Sequence, residues 1–250
     1  TYDEVAARTD RLAGALQKLG VRPEERVLII LPDTPPFAWS IFATLKVGAV
    51  LTMGNPEAPA QDLAYLVAYT RASCVITVPR TATALAEAFA ASPTLRKVLL
   101  VADVPTGDDP ESPVSLPGCE SLVEVMADAP PPSPVSTHRD DVAVWLFTSG
   151  STGKSKAAVH THRDFAYNTE VYAKGTVGYR ADDVTVSVSR LYFGYATGTN
   201  LFFPFAVGAT TCLFSERPTP DALYAAVERH RPTIVTNVPT MLGKLLDHDA

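Results

Sequence analysis

The 250 residues of the chain are 46% hydrophobic and carry a formal net charge of −6, from 27 acidic and 21 basic side chains. That much apolar material is enough for a sizeable core in one domain or two, whereas an acidic chain without a basic stripe argues against nucleic acid as a partner. No apolar run approaches the roughly 20 residues that span a bilayer, and the start does not resemble a signal peptide, so we expect a cytoplasmic protein with no membrane partner.

The first hundred residues alternate between helical and strand-like segments. Thr1 and Glu4 form a capping box for a first helix, which stops at Gly20. Continuous apolar strands separated by helices indicate a parallel sheet that is covered on both faces. The pattern predicts further helices at 36–47, 61–71 and 82–91, and strands at 26–31, 49–53, 74–78 and 97–101.

Residues 103–139 break this rhythm because they are rich in proline, including the run 130–134. We predict an irregular connector with one short helix at 121–127. The alternation then resumes, with strands at 142–147, 184–188, 209–214 and 233–236 and helices at 163–173, 197–207, 220–230 and from 239 onward. The predicted fold class is α/β, with two doubly wound, mainly parallel halves. The predicted domains are a first α/β subdomain (1–102), a Pro-rich connector (103–139) and a second α/β subdomain (140–250).

Nine residues between two apolar runs carry the strongest chemical signal in the chain. The run 142–147 reads as a buried strand, and the run 157–159 as a second short strand. Between them, glycines let main-chain N–H groups converge on an anion, hydroxyls add donors and lysines add positive charge. The pattern predicts a loop that binds nucleotide phosphates, formed by Thr148, Ser149, Gly150, Ser151, Thr152, Gly153, Lys154, Ser155 and Lys156.

Two other interpretations of this loop fit less well. A Walker A loop requires glycine at the position of Thr148 and opens directly into a helix, whereas a strand-like run follows Lys156 here. A flexible Gly/Ser-rich turn would not keep nine residues in register with a phosphate-loop pattern. Nucleotide binding is therefore the preferred interpretation.

A second segment, 190–200, follows a predicted strand and opens a helix. Loops of this kind lie at the carboxyl edge of a parallel sheet, where ligands bind. The rings of Tyr192, Phe193 and Tyr195 can line a flat slot in which glycines leave room. From the residues alone, the alternative that these rings merely pack as core stays open.

The loop at 148–156 resembles the signature of the adenylate-forming enzymes, the superfamily of acyl-CoA synthetases, luciferases and peptide-synthetase adenylation domains. Ser155 stands where that signature usually has proline, and Ala157 where it usually has glycine. The variable position of the signature falls on Lys154, which we expect to be solvated. The resemblance implies the fold of the N-terminal domain of these enzymes and assigns phosphate binding to Thr148, Ser149, Gly150, Ser151, Thr152, Gly153 and Lys156.

Within that superfamily, the chain looks most like the benzoate-CoA ligase branch. The resemblance is carried by the segments 159–164, 191–198, 204–209, 217–220 and 231–240. It implies that Gly194 and Tyr195 border an aryl pocket and that Phe203 helps to close it. Gly194 stands where alanine is expected, which would enlarge the pocket and admit a substituted ring.

The resemblance also implies a two-step reaction. A benzoate or substituted benzoate attacks the α-phosphate of ATP to give an acyl-adenylate and pyrophosphate, and coenzyme A then displaces AMP. Mg²⁺ would bridge the β- and γ-phosphates. The later motifs of the superfamily are not found in these 250 residues, so we assign no catalytic residue here and expect a fragment of a larger ligase that is inactive alone.

Three alternatives remain open at this point: a fatty-acyl-CoA ligase, a peptide-synthetase adenylation domain and a non-catalytic nucleotide-binding module. A homodimer is left open as the assembly. His160 and His162 have the spacing that puts two strand side chains on one face, but the local sequence supplies no further ligand, so we predict no metal site. Cys74 and Cys212 lie in apolar runs and are expected to be buried.

Overall fold

The computed structural model describes residues 1–103, 111–148 and 154–248. The chain divides into two compact units, Thr1–His162 and Arg163–Ala250, and each contains its own sheet. The boundary predicted at residue 140 differs from this division. The two strands that follow residue 140 pair with the first sheet and extend it, so they belong to the first unit.

The first unit contains a seven-stranded sheet with the strand order β5-β4-β3-β1-β2-β6-β7. Neighbouring strands are parallel except for β6 and β7, which form an antiparallel pair. The second and third strands are buried at every residue, as expected of a parallel sheet with both faces covered. The strands are β1 (Arg26–Ile30), β2 (Val50–Met53), β3 (Cys74–Thr77), β4 (Lys97–Leu100), β5 (Glu120–Ser121), β6 (Val142–Thr148) and β7 (Lys156–Thr161).

Six helices belong to the first unit in the ranges that the structure describes: α1 (Tyr2–Lys18), α2 (Pro35–Lys46), α3 (Ala60–Thr70), α4 (Pro79–Ala84), α5 (Ala86–Ala90) and α6 (Leu122–Ala127). The predicted capping box is present, because the Thr1 hydroxyl accepts from the Glu4 N–H and the Glu4 carboxylate accepts from the amino terminus. The helix predicted at 82–91 is instead two helices that meet at Leu85. The Leu85 side chain is fully buried in the core of this unit.

The Pro-rich connector packs closely against α1. Gln17 and Ser133 exchange two hydrogen bonds between the Gln17 side-chain amide and the Ser133 main chain, at 2.9 and 2.8 Å. The approach is closest at Gly14, where a Cβ atom would lie 1.9 Å from the Pro130 carbonyl oxygen. Glycine is therefore required in the middle of α1 because any side chain would displace the main chain of the connector.

Replacing Gly14 with alanine should destabilise the first unit even though alanine favours helix by about 1 kcal/mol. The new methyl group overlaps main-chain atoms, and overpacking of this kind typically costs about 1–3 kcal/mol. Trp39 and Trp145, the only two tryptophans of the chain, both lie in the first unit. Their fluorescence during thermal unfolding should therefore show a lower midpoint for Gly14→Ala.

Gly243→Ala is the matched control. Gly243 also lies inside a helix, in the second unit, and a Cβ atom there would have nothing within 4 Å. This substitution should leave the tryptophan transition unchanged. A Gly14→Ala variant as stable as the parent chain would contradict the close packing of the connector on α1.

The second unit contains a three-stranded parallel sheet with the order β10-β8-β9. Its strands are β8 (Val184–Ser187), β9 (Thr210–Cys212) and β10 (Ile234–Thr236). Its core contains Val186, Cys212, Leu223 and Met241. The helices are α7 (His162–Asn168), which begins at the last residue of the first unit, α8 (Gly194–Thr197), α9 (Phe203–Val207), α10 (Pro220–His230) and α11 (Pro239–His248).

Two helices of the second unit contain π-helical turns that the sequence does not predict. A π-helical segment at Thr169–Val177 follows α7, and a second one at Gly198–Phe202 joins α8 to α9. The Tyr179 hydroxyl donates to the Thr199 carbonyl at 2.9 Å, so a side chain outside the helix satisfies a main-chain acceptor of the second π segment. Burial raises the pKa of Tyr179 to about 12, so its hydroxyl stays protonated and able to donate up to a higher pH than that of an exposed tyrosine.

The prediction of an α/β fold with mainly parallel sheets is confirmed. Cys74 and Cys212 are buried, also as predicted. Across the described part of the chain, no helix combines the length and the apolar character needed to cross a bilayer.

Candidate functional site

The two ends of the predicted phosphate loop lie side by side. Thr148 is the last residue of β6, Lys156 is the first residue of β7, and the two are direct cross-strand partners. The Thr148 hydroxyl approaches the Lys156 carbonyl at 3.5 Å. Because cross-strand partners project from the same face of a sheet and both side chains are exposed, one hydroxyl and one ammonium are available together at this point.

This pair lies at the carboxyl end of β6. β6 runs parallel to β2, and the connection to β7 leaves β6 at its carboxyl end. Loops at the carboxyl ends of parallel strands are where α/β sheets bind ligands. The remaining predicted phosphate-binding residues, Ser149, Gly150, Ser151, Thr152 and Gly153, lie outside the described residues.

Lys154 and Ser155, the stem of the predicted loop, lead into β7. They contact a residue that the sequence did not indicate. The Tyr65 hydroxyl donates to the Ser155 carbonyl at 3.1 Å, across 90 residues of sequence. The Lys154 ammonium lies 5.5 Å from the centroid of the same ring. Lys154 is exposed, as predicted, but it also has a ring beneath it and projects toward α3. No local sequence signal identifies Tyr65, because the contact joins two distant segments.

Tyr65 belongs to an aromatic cluster that joins α3 to β6. Its ring lies 5.5 Å from that of Tyr69, one helical turn later. The Tyr69 ring meets Trp145 and Phe147 edge-on, at 6.3 and 5.8 Å between centroids. Trp145 and Phe147 alternate along β6 with Thr148, so they project from the opposite face to the Thr148–Lys156 pair. Lys154 and Lys156 are therefore directed to different sides of the sheet.

The predicted aryl segment starts α8 in the second unit. Gly194 is the first residue of α8 and follows the N-cap residue Phe193. Phe193 and Tyr195 are each 51% exposed, so the alternative that these rings merely pack as core does not hold for them. Tyr192 is half-buried and lies against Phe193, with 4.7 Å between ring centroids.

An open cavity of about 320 Å³ lies beside this segment in the second unit. Tyr192 and Phe193 line it, whereas Gly194 and Tyr195 are not among its lining residues. Its remaining wall includes Arg190, three residues after the end of β8, and Lys244 from α11. The cavity thus combines two aromatic rings with the Lys244 side chain, whereas the Arg190 guanidinium in its wall donates to main-chain carbonyls.

Phe203, the third predicted substrate-binding residue, is buried in the interior of the second unit. Its ring lies 5.9 Å from each of the rings of Tyr172 and Tyr179. A Cβ atom on Gly198 would lie 3.0 Å from the Phe203 ring, so glycine lets this ring pack against the helix one turn after Gly194. A role for Phe203 in closing an aryl pocket remains a prediction.

Arg190 holds the start of the aryl segment in place. Its guanidinium group is buried and donates to the carbonyl groups of Phe214 and Glu216. The same group lies 4.3 Å from the centroid of the Phe214 ring. The sequence placed Arg190 at the start of this segment but did not indicate this pairing, because the carbonyl acceptors lie on the connection between β9 and α10.

The two histidines do not share a strand face. His160 lies in β7 opposite Val144, whereas His162 is the first residue of α7. The expectation that both occupy one strand is therefore wrong, because β7 ends at Thr161. In residues 1–103, 111–148 and 154–248, no cluster of three or more His, Cys, Asp or Glu side chains is arranged to hold a metal ion.

Several known proteins with similar sequences and structures are benzoate–CoA ligases or related aryl-CoA ligases. The chain is 34% identical to a benzoate–CoA ligase from Thauera aromatica over 247 residues, covering 98% of this chain and 45% of that protein. It superposes on the crystal structure of a benzoate CoA ligase from Burkholderia xenovorans with a TM-score of 0.85 and 32% identity, covering 98% of this chain and 46% of that one. The chain thus spans less than half the length of these relatives.

A third similar protein was solved with a ligand bound. It is the anthranilate CoA ligase AuaEII in complex with anthranoyl-AMP, with a TM-score of 0.88 and 25% identity, covering 96% of this chain and 45% of that one. The fold of this chain is therefore the fold of the corresponding part of these ligases. The family model described as AMP-binding enzyme matches residues 1–250, and the chain belongs to that family.

Proposed function

We propose that this chain supplies the ATP-phosphate site and the aryl-acid site of an ATP-dependent aryl-CoA ligase. The substrates would be benzoate or a substituted benzoate, ATP and coenzyme A, and the products aroyl-CoA, AMP and pyrophosphate. The names of the similar proteins support this substrate class. The observation that carries the proposal is the pairing of Thr148 with Lys156 at the carboxyl end of β6.

The first half-reaction places a carboxylate against a polyanion, so positive charge and hydrogen-bond donors must offset the repulsion. The Lys156 ammonium and the Thr148 hydroxyl would bind phosphate oxygens of ATP. The hydroxyls and N–H groups proposed at Ser149, Gly150, Ser151, Thr152 and Gly153 would complete the cradle.

Mg²⁺ is proposed as the ion that accompanies ATP. It usually binds through phosphate oxygens, water and one or two protein oxygens rather than a complete protein cage. Among the described residues of the predicted loop, the Thr148 hydroxyl is a suitable oxygen ligand. A single protein oxygen fits an ion that is held mainly by the phosphates of the nucleotide and by water. When bound, Mg²⁺ would neutralise phosphate charge, while the Lys156 ammonium and the Thr148 hydroxyl would hold the phosphate oxygens in place.

The aryl acid is proposed to bind near the start of α8. Gly194 is the first residue of the helix and carries no side chain, and the exposed Tyr195 ring offers a flat surface for stacking. Phe203 would border the ring from the interior. These aryl-site assignments specify the acid substrate of the proposed ligase, and they do not depend on the phosphate-loop assignment.

Pyrophosphate exchange with a panel of carboxylic acids tests the proposal. The complete protein that carries this chain should exchange label into ATP with benzoate, hydroxybenzoates or aminobenzoates and much less with alkyl acids of similar size. Preference for fatty acids or amino acids would assign the chain to another adenylating enzyme. Binding of ATP without exchange for any acid would indicate a non-catalytic nucleotide-binding module.

A further inference from the structure

A tyrosine from a distant helix holds the stem of the predicted phosphate loop. Tyr65 on α3 donates its hydroxyl hydrogen to the Ser155 carbonyl at 3.1 Å, and its ring lies under the Lys154 ammonium at 5.5 Å. One side chain therefore contacts two consecutive residues immediately before β7 begins. This contact restrains the path by which the chain enters the strand that carries Lys156.

Tyr65 is itself held firmly. Its ring is half-buried and packs against the core of the first unit, and on its other side it contacts Tyr69. Tyr69 in turn packs against Trp145 and Phe147 of β6. The hydroxyl thus extends from a rigid base formed by α3 and β6, and such a base is required if a hydrogen bond is to position a neighbouring loop.

The two restrained residues are the ones that a proline at position 155 would restrict. Proline fixes its own φ near −65° and limits the backbone of the residue before it, which here is Lys154. Ser155 provides neither restriction. We infer that Tyr65 is a positioning residue for the phosphate loop and supplies, through the Ser155 carbonyl and the Lys154 side chain, the restraint that proline supplies in the superfamily signature.

This inference rests on the proposed function, because it takes the loop to bind the phosphates of ATP. Tyr65 acts through Ser155 and Lys154 and has no part in binding the aryl acid. Loss of its hydroxyl would leave Lys154 and Ser155 with more conformations, so fixing these two residues when ATP binds would cost more entropy. The KM for ATP should therefore change while the KM for the acid does not.

The test compares Tyr65→Phe with Tyr69→Phe in the complete protein that carries this chain, using pyrophosphate exchange. Tyr65→Phe keeps the ring, its packing and its contact with Lys154 and removes only the hydroxyl. It should raise the KM for ATP roughly three- to tenfold, the range expected for one lost hydrogen bond, with an unchanged KM for benzoate. Tyr69→Phe keeps the ring that packs on β6 and should retain the parent KM for ATP.

Ser155→Pro provides a rescue that a merely structural role of Tyr65 would not produce. In the Tyr65→Phe background it should return the KM for ATP to within about twofold of the parent value, because proline restores the lost restraint. Thermal midpoints of all variants are measured alongside. A Ser155→Pro variant that fails to fold counts against the inference, since the two restraints would then not be interchangeable.

The remaining outcomes separate this inference from the proposed function. If the parent protein exchanges label with an aryl acid but Tyr65→Phe has the parent KM for ATP, the tyrosine restraint is wrong and the ligase proposal stands. Equal changes in both KM values, or no rescue by Ser155→Pro, also overturn the restraint. If the parent protein neither exchanges label with any carboxylic acid nor binds ATP, both proposals fall.

Discussion

Lys156→Ala is expected to slow acyl-adenylate formation roughly a hundredfold in the complete protein that carries this chain. A loss of this size is typical when one preorganised group that stabilises charge in the transition state is removed. Lys156 is exposed and is paired with Thr148 at the carboxyl end of β6, so its ammonium has no structural contact to maintain among those described. The rate of pyrophosphate exchange at saturating acid measures the loss.

Lys154→Ala is the matched control for this experiment, because the two lysines are separated by a single residue. The Lys154 ammonium lies over the Tyr65 ring, and an exposed contact of this kind is weak. We expect at most about a fivefold change, seen in the KM for ATP. Equal losses for both variants would show that general positive charge, rather than the position of Lys156, supports the reaction.

Gly194→Val is expected to raise the KM for aryl acids tenfold or more, with little change in the KM for ATP. The proposed aryl site borders the first residue of α8, so a branched side chain added there would obstruct the ring of the acid. Mismatches of one or a few carbon atoms in a binding pocket typically change specificity by about 10- to 200-fold. Initial rates with benzoate and ATP varied separately measure the two constants.

Gly194→Ala provides the intermediate step of this series. Alanine is the residue that the resemblance leads us to expect at this position, so the enzyme should stay active. The variant should lose activity first with the bulkiest substituted benzoates, because one methyl group narrows the pocket only slightly. If the KM values for acid and for ATP rise in parallel in either variant, Gly194 does not border the aryl site.

Much of the fold could be predicted because its signals are local. The capping box at Thr1 and Glu4 involves residues three positions apart, and the structure contains it. Buried strands such as β1 and β3 are continuously apolar runs, and their predicted bounds agree with the structure to within one residue. Hydrogen bonds within a helix and burial along a strand depend on neighbouring residues, so a single sequence is enough to recognise them.

The departures from prediction arise where distant contacts compete with local preference. The helix predicted at 82–91 divides at Leu85, whose side chain is buried in the core. The domain boundary moves from residue 140 to residue 162, because β6 pairs with β2 rather than with a strand of the second unit. The pairing of β6 with β2 joins segments that lie about ninety residues apart in the sequence. The apolar run of β6 does not by itself indicate which strand it pairs with.

The candidate site divides in the same way. The sequence by itself determined the α/β class, the phosphate-loop pattern that ends in Lys156 and the aromatic segment around Tyr195, because each is a run of adjacent residues with its own chemistry. Only the tertiary structure decided that Thr148 faces Lys156, that Tyr65 holds Ser155 and that Arg190 binds the carbonyls after β9. These contacts depend on chain packing, which brings together residues that no local pattern relates.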